Sequence, residues 1–267
     1  MVKRQEKIVS RFLQRDVVLD LVYPAEFQIR GDSLLRFLLV NDGQDSEAYR
    51  LQEVMTDAHA TGQIRPTLAV AVHVGERKQE YGISGRPDFA KRGAKASEYA
   101  AFVEKELLPH LHQHFPISPK AEDRAIAGFS LGALSAFDIA WHMPKVFGVA
   151  GLFSGSFWWR NRALDDGYSP SDRIALQLVK ESAIRLPLRF WFQTGWLDEF
   201  ADRDADGLID SVGDTLDLIN ELKTLGYKSG TELEYVELGN GRHDHKTMAR
   251  ILPAFLKWWQ KGDLYRH

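Results

Sequence analysis

The 267-residue chain contains no cysteine. Without thiols, the protein cannot form a disulfide, use a thiol nucleophile or bind a metal through thiolates. It also has no apolar run approaching the ~18 residues of a membrane-spanning helix. Ser10, Arg11 and Gln14 interrupt the first apolar residues, which does not match a secretory signal. We therefore expect a soluble, cytoplasmic protein without a membrane partner.

An excess of positive charge is absent as well. Lys and Arg total 34 against 37 Asp and Glu, which gives a formal net charge of −3. Nucleic-acid-binding domains ordinarily carry a basic surface, so this balance argues against a nucleic-acid partner. Hydrophobic residues make up 44% of the chain, which is enough to form a large core.

Strand-like apolar runs alternate with helix-like runs along almost the whole chain. No internal repeat and no Pro/Gly-rich linker interrupts this alternation, which predicts a single α/β domain over residues 1–267. The sheet should be mostly parallel, with helices on both faces. The predicted strands cover residues 15–23, 34–40, 67–74, 123–127, 146–153, 188–194 and 231–238. The longest predicted helices cover residues 97–114, 210–225 and 246–260.

The most specific motif is G-x-S-x-G at residues 128–132, between a predicted strand and an alanine-rich helix. In that context the motif predicts a sharp strand-to-helix turn, with Ser130 strained and its hydroxyl exposed. The flanking glycines would let backbones pass where a Cβ would clash. The backbone N–H of Leu131 would then face a developing oxyanion. The alternative is a glycine-rich turn with an incidental serine.

A serine hydroxyl needs a base, and nine histidines are available. His243 is the first candidate, because it follows the last predicted strand and precedes the last helix. That position matches the chain order Ser, acid, His of an α/β-hydrolase. His245 is the alternative, two residues further on.

The acid that orients the base is expected on the loop after the strand at residues 188–194. Asp198 is the first candidate and Glu199 the second, since either carboxylate of this adjacent pair could face inward. A second oxyanion donor is expected after an early strand, where Gly43 permits a turn and the N–H of Gln44 or Gly43 could point at Ser130. The alternative there is a plain Asn-Asp-Gly turn.

Four segments give the chain a resemblance to the family that includes esterase D, enterochelin esterases and microbial feruloyl and acetyl-xylan esterases. They are residues 38–44 (LLVNDGQ), 128–133 (GFSLGA), 153–159 (FSGSFWW) and 241–244 (GRHD). The resemblance covers nearly the whole chain. It implies an α/β-hydrolase fold, hydrolysis of carboxylic esters and a triad that requires no cofactor.

The same resemblance supports Ser130 as the nucleophile and His243 as the base of the triad. It supports Asp198 as the acid less firmly, because the acid varies within the family. The chain departs from the family at Asn41, where other residues precede Asp-Gly, and at Arg242, where glycine is frequent. The second departure bears on how the His243 loop packs.

Residues on two loops are candidates for substrate binding. Trp158 and Trp159 follow a predicted strand, and at least one should line a cleft where its ring can stack on a substrate. The alternative is that both cap the sheet. Arg77 could contact an anionic substrate, but we favour an ion pair that holds the Gly43 loop.

Residues 202–207 carry the D-x-D-x-D-G spacing of a calcium-binding loop. Carboxylates two residues apart can converge on one hard cation. The twelfth position is Gly213 rather than the usual bidentate Glu, so the alternative is an acidic turn that caps the following helix. The expected ligands of a structural Ca²⁺ are Asp202, Asp204, Asp206 and Asp210, with Asp214 as the alternative to Asp210.

These residues together predict a serine carboxylic-ester hydrolase that acts on a small-molecule ester through an acyl-enzyme. One alternative is an acyltransferase that uses the same triad with an alcohol or sugar as acceptor. The other is a carbohydrate- or siderophore-binding protein with a vestigial triad. The acyl group, the alcohol group and the oligomeric state leave no readable signal in the sequence.

Overall fold

The computed structural model describes residues 1–25 and 34–261. Its main feature is one eight-stranded sheet. The strands are Val2–Ser10 (β1), Arg15–Tyr23 (β2), Arg36–Asn41 (β3), Thr67–Val72 (β4), Arg124–Phe129 (β5), Val149–Phe153 (β6), Arg189–Leu197 (β7) and Leu233–Arg242 (β8).

The connections between the strands are mostly helical. The α-helices are Leu51–Ala60 (α1), Arg77–Glu80 (α2), Ala96–Phe102 (α3), Leu108–His114 (α4), Leu131–His142 (α5), Ile174–Lys180 (α6), Asp210–Thr224 (α7) and His245–Lys261 (α8). A π-helical turn at Val103–Leu107 joins α3 to α4, so the helix predicted over residues 97–114 forms in three parts.

The strand order is β1-β2-β4-β3-β5-β6-β7-β8, and the six strands from β4 to β8 in this order are parallel. The first two strands form an antiparallel hairpin, and β2 is also antiparallel to β4. The prediction of a mostly parallel sheet is therefore confirmed. Because parallel strands end at the same edge, the loops after β3, β5, β6, β7 and β8 meet there.

Helices cover both faces of the sheet, as the alternation predicted. Within β3, Phe37 and Leu39 point into one apolar core, while Leu38 and Val40 point into the other. Side chains of α3 to α7 complete the first core, and side chains of α1 and α8 complete the second. A strand buried on both faces needs a continuous apolar run, which explains why β3 to β6 were readable from the sequence.

Two parts of the sheet differ from the predictions. The N-terminal segment at residues 2–10 forms the edge strand β1, although its charged residues give no strand-like apolar run. An edge strand tolerates such charges because much of it stays in water. The last strand was predicted to end at residue 238, but β8 continues through residues 239–242.

Among residues 1–25 and 34–261, no helix is long and apolar enough to cross a membrane.

Candidate active site

The chain turns sharply between β5 and α5, and Ser130 occupies that turn with φ 57° and ψ −121°. This is the strained conformation that the motif predicts, because a non-glycine residue rarely adopts a positive φ. The glycines beside it are needed for space. A Cβ at Gly128 would lie 2.3 Å from the backbone of Gly132, and one at Gly132 would lie 2.7 Å from Oδ2 of Asp42.

Hydrogen bonds from neighbouring loops hold this turn in place. The N–H of Ser130 donates to the carbonyl of Phe153 at 3.0 Å, and the N–H of Ser156 donates to the carbonyl of Ser130 at 3.2 Å. The side-chain amide of Asn41 donates to the carbonyl of Gly132 at 2.7 Å. Since each backbone group of the strained residue is engaged, the conformation is enforced by its surroundings.

His243 directly follows β8 and reaches the serine. Its Nε2 lies 2.9 Å from Oγ of Ser130, and its ring packs on Phe129 with ring centroids 4.5 Å apart. The alternative base, His245, packs toward Tyr49 and lies 3.9 Å from a carboxylate oxygen of Asp45. The structure therefore brings His243, and not His245, to Ser130.

Burial of the imidazole lowers the pKa of His243 below its ordinary value of 6.5. The charge of Asp198 opposes this shift, whereas the charges of Arg77 and His245 add to it. His243 is exposed as a whole residue, but one face of its ring packs on Phe129, and this contact accounts for the desolvation. A lowered pKa keeps the imidazole neutral at pH 7, as a general base must be.

The two candidate acids both line the pocket of Ser130 and His243. Burial raises the pKa of Asp198 and of Glu199 above the ordinary carboxylate values. Oδ2 of Asp198 accepts the N–H of Gly195 at 3.0 Å, and this bond, together with the Ser154 side chain, opposes the effect of burial on the pKa of Asp198. No hydrogen bond joins Asp198 to His243, but Asp198 is the carboxylate of the pair whose charge acts on the imidazole.

The pocket at this edge of the sheet has a volume of about 290 Å³. Its walls come from the loops after β4, β5, β6, β7 and β8, and one side is lined by cationic residues. Leu131, the first residue of α5, forms part of the wall beside Ser130. The cationic residues are Arg77, Lys78 and Arg92.

Arg77 lines the pocket and also holds the loop after β3. Its guanidinium forms a bidentate pair with the buried carboxylate of Asp42, at 2.8 and 3.0 Å, and donates to the carbonyl of Phe129 at 3.1 Å. The ion pair that the sequence favoured for Arg77 is therefore present. Its partner is Asp42, which precedes Gly43 in the same loop.

Gln44 is not brought to the pocket wall. Asp42 turns with φ 61° into the short 3₁₀ helix that contains Gln44, and Gln44 is not among the residues that line the pocket of Ser130. There, its side-chain amide donates to the carboxylates of Asp42 and Asp45 and accepts the N–H of Val74 at 3.1 Å. The role of its backbone N–H as an oxyanion donor stays a prediction.

The two adjacent tryptophans have different environments. Trp158 is partly exposed, lines the pocket and lies under the guanidinium of Arg92, 5.1 Å from the ring centroid. Trp159 is fully buried, and a Cβ added at Gly93 would lie 2.8 Å from its ring. Of the two candidate tryptophans, the structure therefore brings Trp158 to the pocket, while the ring of Trp159 fills the core.

The acidic loop after β7 brings together three of its four candidate ligands. Carboxylate oxygens of Asp202, Asp204 and Asp206 lie within 4.8 Å of one another on the surface. Asp210 is not part of this group, contrary to prediction. It is the first residue of α7, and its carboxylate instead accepts the N–H of Arg203 at 2.9 Å and pairs with that guanidinium at 3.2 Å.

Several pocket residues were not predicted from the sequence. Ser154 and Ser156 come from the loop after β6, where the F-S-G-S segment marked only a family resemblance. Lys78 and Arg92 lie on the surface between β4 and α3, and no sequence pattern distinguishes them from other surface cations. Only the packing of the loops brings these residues to the serine.

Curated proteins with detectable sequence similarity include two esterases. The chain is 28% identical over 170 residues to the Iron(III) enterobactin esterase of Escherichia coli K12, covering 57% of this chain and 42% of that protein. It is 33% identical over 96 residues to the Iron(III) enterobactin esterase of E. coli O6:H1, covering 32% of this chain and 24% of that protein. The matched segments thus span less than half the length of these relatives.

Solved structures with a similar fold are also esterases. The enterobactin esterase of Shigella flexneri superposes with a TM-score of 0.77 at 19% identity, covering 99% of this chain and 61% of that chain. A ferulic acid esterase superposes with a TM-score of 0.74 at 14% identity, covering 97% of this chain and 98% of that chain. At such identities the likeness shows the fold alone, which is that of an α/β-hydrolase.

The model of a family described as "Putative esterase" matches residues 10–252. This match takes in the elbow at Ser130, the pocket residues after β6 and β7, and His243. The chain therefore belongs to the Putative esterase family.

Proposed function

We propose that this protein is a serine carboxylic-ester hydrolase. The observation that carries the proposal is the 2.9 Å contact between Oγ of Ser130 and Nε2 of His243, on a strained turn that opens into a pocket. A hydroxyl within hydrogen-bond reach of a neutral imidazole is the arrangement that activates a serine for attack. Membership of an esterase family supports the same reaction class.

In the first half of the reaction, the hydroxyl of Ser130 gives its proton to Nε2 of His243 as Oγ attacks the ester carbonyl. The ester C–O bond then breaks, and the leaving alcohol takes the proton from His243. In the second half, water replaces the alcohol and releases the acid from Ser130. An acceptor alcohol in place of water would make the protein an acyltransferase.

The backbone N–H of Leu131 is our candidate for binding the oxyanion that forms during both halves. It lies at the start of α5, where the first N–H groups of a helix have no intrahelical acceptor. These groups also carry the positive end of the helix dipole, which favours developing negative charge. Gln44 stays the predicted source of a second donor.

Asp198 is our candidate for the acid of the triad. Its charge raises the pKa of His243, which means that it stabilises the imidazolium formed during the reaction. Glu199 shares the pocket wall, but its pKa is raised by burial and by the charges of Asp210 and Asp214.

The pocket favours a small ester that carries an aromatic or anionic group. Trp158 offers a ring face for stacking, while Arg77, Lys78 and Arg92 supply positive charge at the same wall. The similar proteins are named as an enterobactin esterase and a ferulic acid esterase. We propose that the substrate belongs to this range of small-molecule esters.

Substitution of Ser130 tests the proposed function. Ser130→Ala should lower kcat/KM on 4-nitrophenyl acetate by about 10⁴-fold or more and abolish covalent labelling by a fluorophosphonate. The exposed serine at position 171 provides a control, since Ser171→Ala should keep both properties. Wild-type activity in Ser130→Ala would refute the proposal. Ligand binding without any labelling of the wild-type protein would instead favour a binding protein with a vestigial triad.

A further inference from the structure

A second serine hydroxyl lies beside Ser130, the proposed nucleophile. Ser156 lies on the loop after β6, is only 3% exposed, and its Oγ is 3.3 Å from Oγ of Ser130. Among the residues that the structure describes, Ser130 is the one hydrogen-bond partner of this hydroxyl. The backbone N–H of Ser156 separately holds the carbonyl of Ser130 at 3.2 Å.

Counting protons shows which hydroxyl donates in this contact. Ser130 carries a single hydroxyl proton, and the proposed reaction requires that proton to be directed at Nε2 of His243. Oγ of Ser130 can therefore only accept from its other neighbour. The donor in the 3.3 Å contact is the hydroxyl of Ser156.

We propose that Ser156 is a catalytic residue whose hydroxyl donates a hydrogen bond to Oγ of Ser130 and speeds its departure from the acyl-enzyme. The inference rests on the proposed function, because it assumes that Ser130 is acylated. Its consequence differs between the two halves of the reaction.

During acylation, Oγ changes from a hydroxyl oxygen to an ester oxygen, and a donor on it withdraws electron density from the attacking atom. During deacylation, water adds to the acyl carbon and gives its proton to His243. The C–Oγ bond then breaks, its electron pair stays on Oγ of Ser130, and His243 returns the proton to that oxygen. A donor already in contact with Oγ stabilises the negative charge that develops there. Ser156 should therefore assist the second half more than the first.

Steady-state kinetics separate the two halves. On 4-nitrophenyl acetate, kcat/KM reports acylation, while kcat reports deacylation where this is the slower step. Ser156→Ala removes the hydroxyl but keeps the backbone N–H that supports Ser130. We expect kcat to fall about tenfold and kcat/KM to change by less than about threefold, so that KM falls in parallel with kcat.

Two further variants make the test specific. Ser135 is equally buried in α5 but does not line the pocket, so Ser135→Ala should leave kcat and KM unchanged. Ser156→Cys is nearly isosteric and supplies a weaker donor, so its kcat should lie between those of wild type and Ser156→Ala. The apparent pKa in the pH profile of kcat/KM should stay the same, because no charge near His243 has changed.

The proposal is overturned if Ser156→Ala has the same kcat as Ser135→Ala, or if kcat and kcat/KM fall equally, which would indicate general damage to the turn. Fluorophosphonate labelling distinguishes this failure from failure of the proposed function. A wild-type protein that is labelled normally, with a Ser156→Ala variant that behaves like the control, refutes only the role of Ser156. A wild-type protein that is neither labelled nor active refutes both.

Discussion

Hydrogen bonds hold two sides of the pocket to different degrees. We call them the nucleophile side, which carries Ser130, and the acid side, which carries the candidate acids Asp198 and Glu199. On the nucleophile side, the N–H and carbonyl of Ser130 are both bonded, Asn41 holds Gly132, and Arg77 ties Asp42 to the end of β5. The acid side comprises the loop after β7, where Asp198 accepts the N–H of Gly195 at 3.0 Å and serine residues (Ser154 for Asp198, Ser211 for Glu199) contribute weaker hydrogen bonds to the carboxylates.

This difference indicates how each side contributes to function. The strained serine needs many contacts because its φ of 57° is costly for a residue with a Cβ. The proposed acid, Asp198, would act on His243 through its charge, which requires less exact placement than a hydrogen bond does. Removing the charge should therefore change the chemistry, whereas changing the turn should affect folding first.

After Ser130→Ala, the largest change in activity should follow from neutralising Asp198, the proposed acid. We expect Asp198→Asn to lower kcat/KM by about 10²- to 10³-fold, because the imidazolium loses its counter-charge. The pH profile gives a second readout. Wild-type kcat/KM should reach its plateau with an apparent pKa below 6.5, since burial lowers the pKa of His243. Asp198 raises that pKa, so Asp198→Asn should move the acidic limb to still lower pH.

Glu199→Gln is the matched control for this experiment. It removes the adjacent carboxylate, which is not among the groups that act most strongly on the pKa of His243, and should leave the acidic limb in place. If Glu199→Gln shifted the limb and Asp198→Asn did not, the acid of the triad would be Glu199.

A smaller but clear contrast is expected in stability. Gly128→Ala places a Cβ 2.3 Å from the backbone of Gly132 and should lower the free energy of unfolding by about 3 kcal/mol or more. Gly213→Ala lies within α7, near the acid side, with open space around it. It should raise the free energy of unfolding by about 0.5–1 kcal/mol. Chemical denaturation of both variants measures the difference, and equal effects would contradict it.

The smallest contrast between two variants is expected in the acidic loop, for which we propose structural Ca²⁺ binding. About 10 mM Ca²⁺, roughly ten times the weakest dissociation constants of comparable loops, should stabilise the protein by about 1.4 kcal/mol. Thermal unfolding with Ca²⁺ and with EDTA measures this increase. Asp204→Asn should remove the response, whereas Asp210→Asn should keep it, because Asp210 is paired with Arg203. Retention of the response in Asp204→Asn would exclude this loop as the site.

Local patterns were enough for much of the fold and part of the site. The strands from β3 to β6 are buried on both faces, so their apolar runs could be read directly. The turn at Ser130 was equally readable, since glycine spacing reports a local steric need. The edge strand β1 was missed because half-exposed strands carry charges like those of a loop. The end of β8 was missed because Gly239 and Gly241 resemble a turn.

By itself, the sequence determined the α/β alternation, the strained turn at Ser130 and the chain order that places His243 after the last strand. Only the tertiary structure decided between neighbours of similar chemistry. It brought His243 rather than His245 to the serine, buried Trp159 while leaving Trp158 in the pocket, and separated Asp210 from the other aspartates. The physical reason is that spacing along the chain limits which residues can share a loop or face. Which side chain points inward depends on packing between elements distant in sequence.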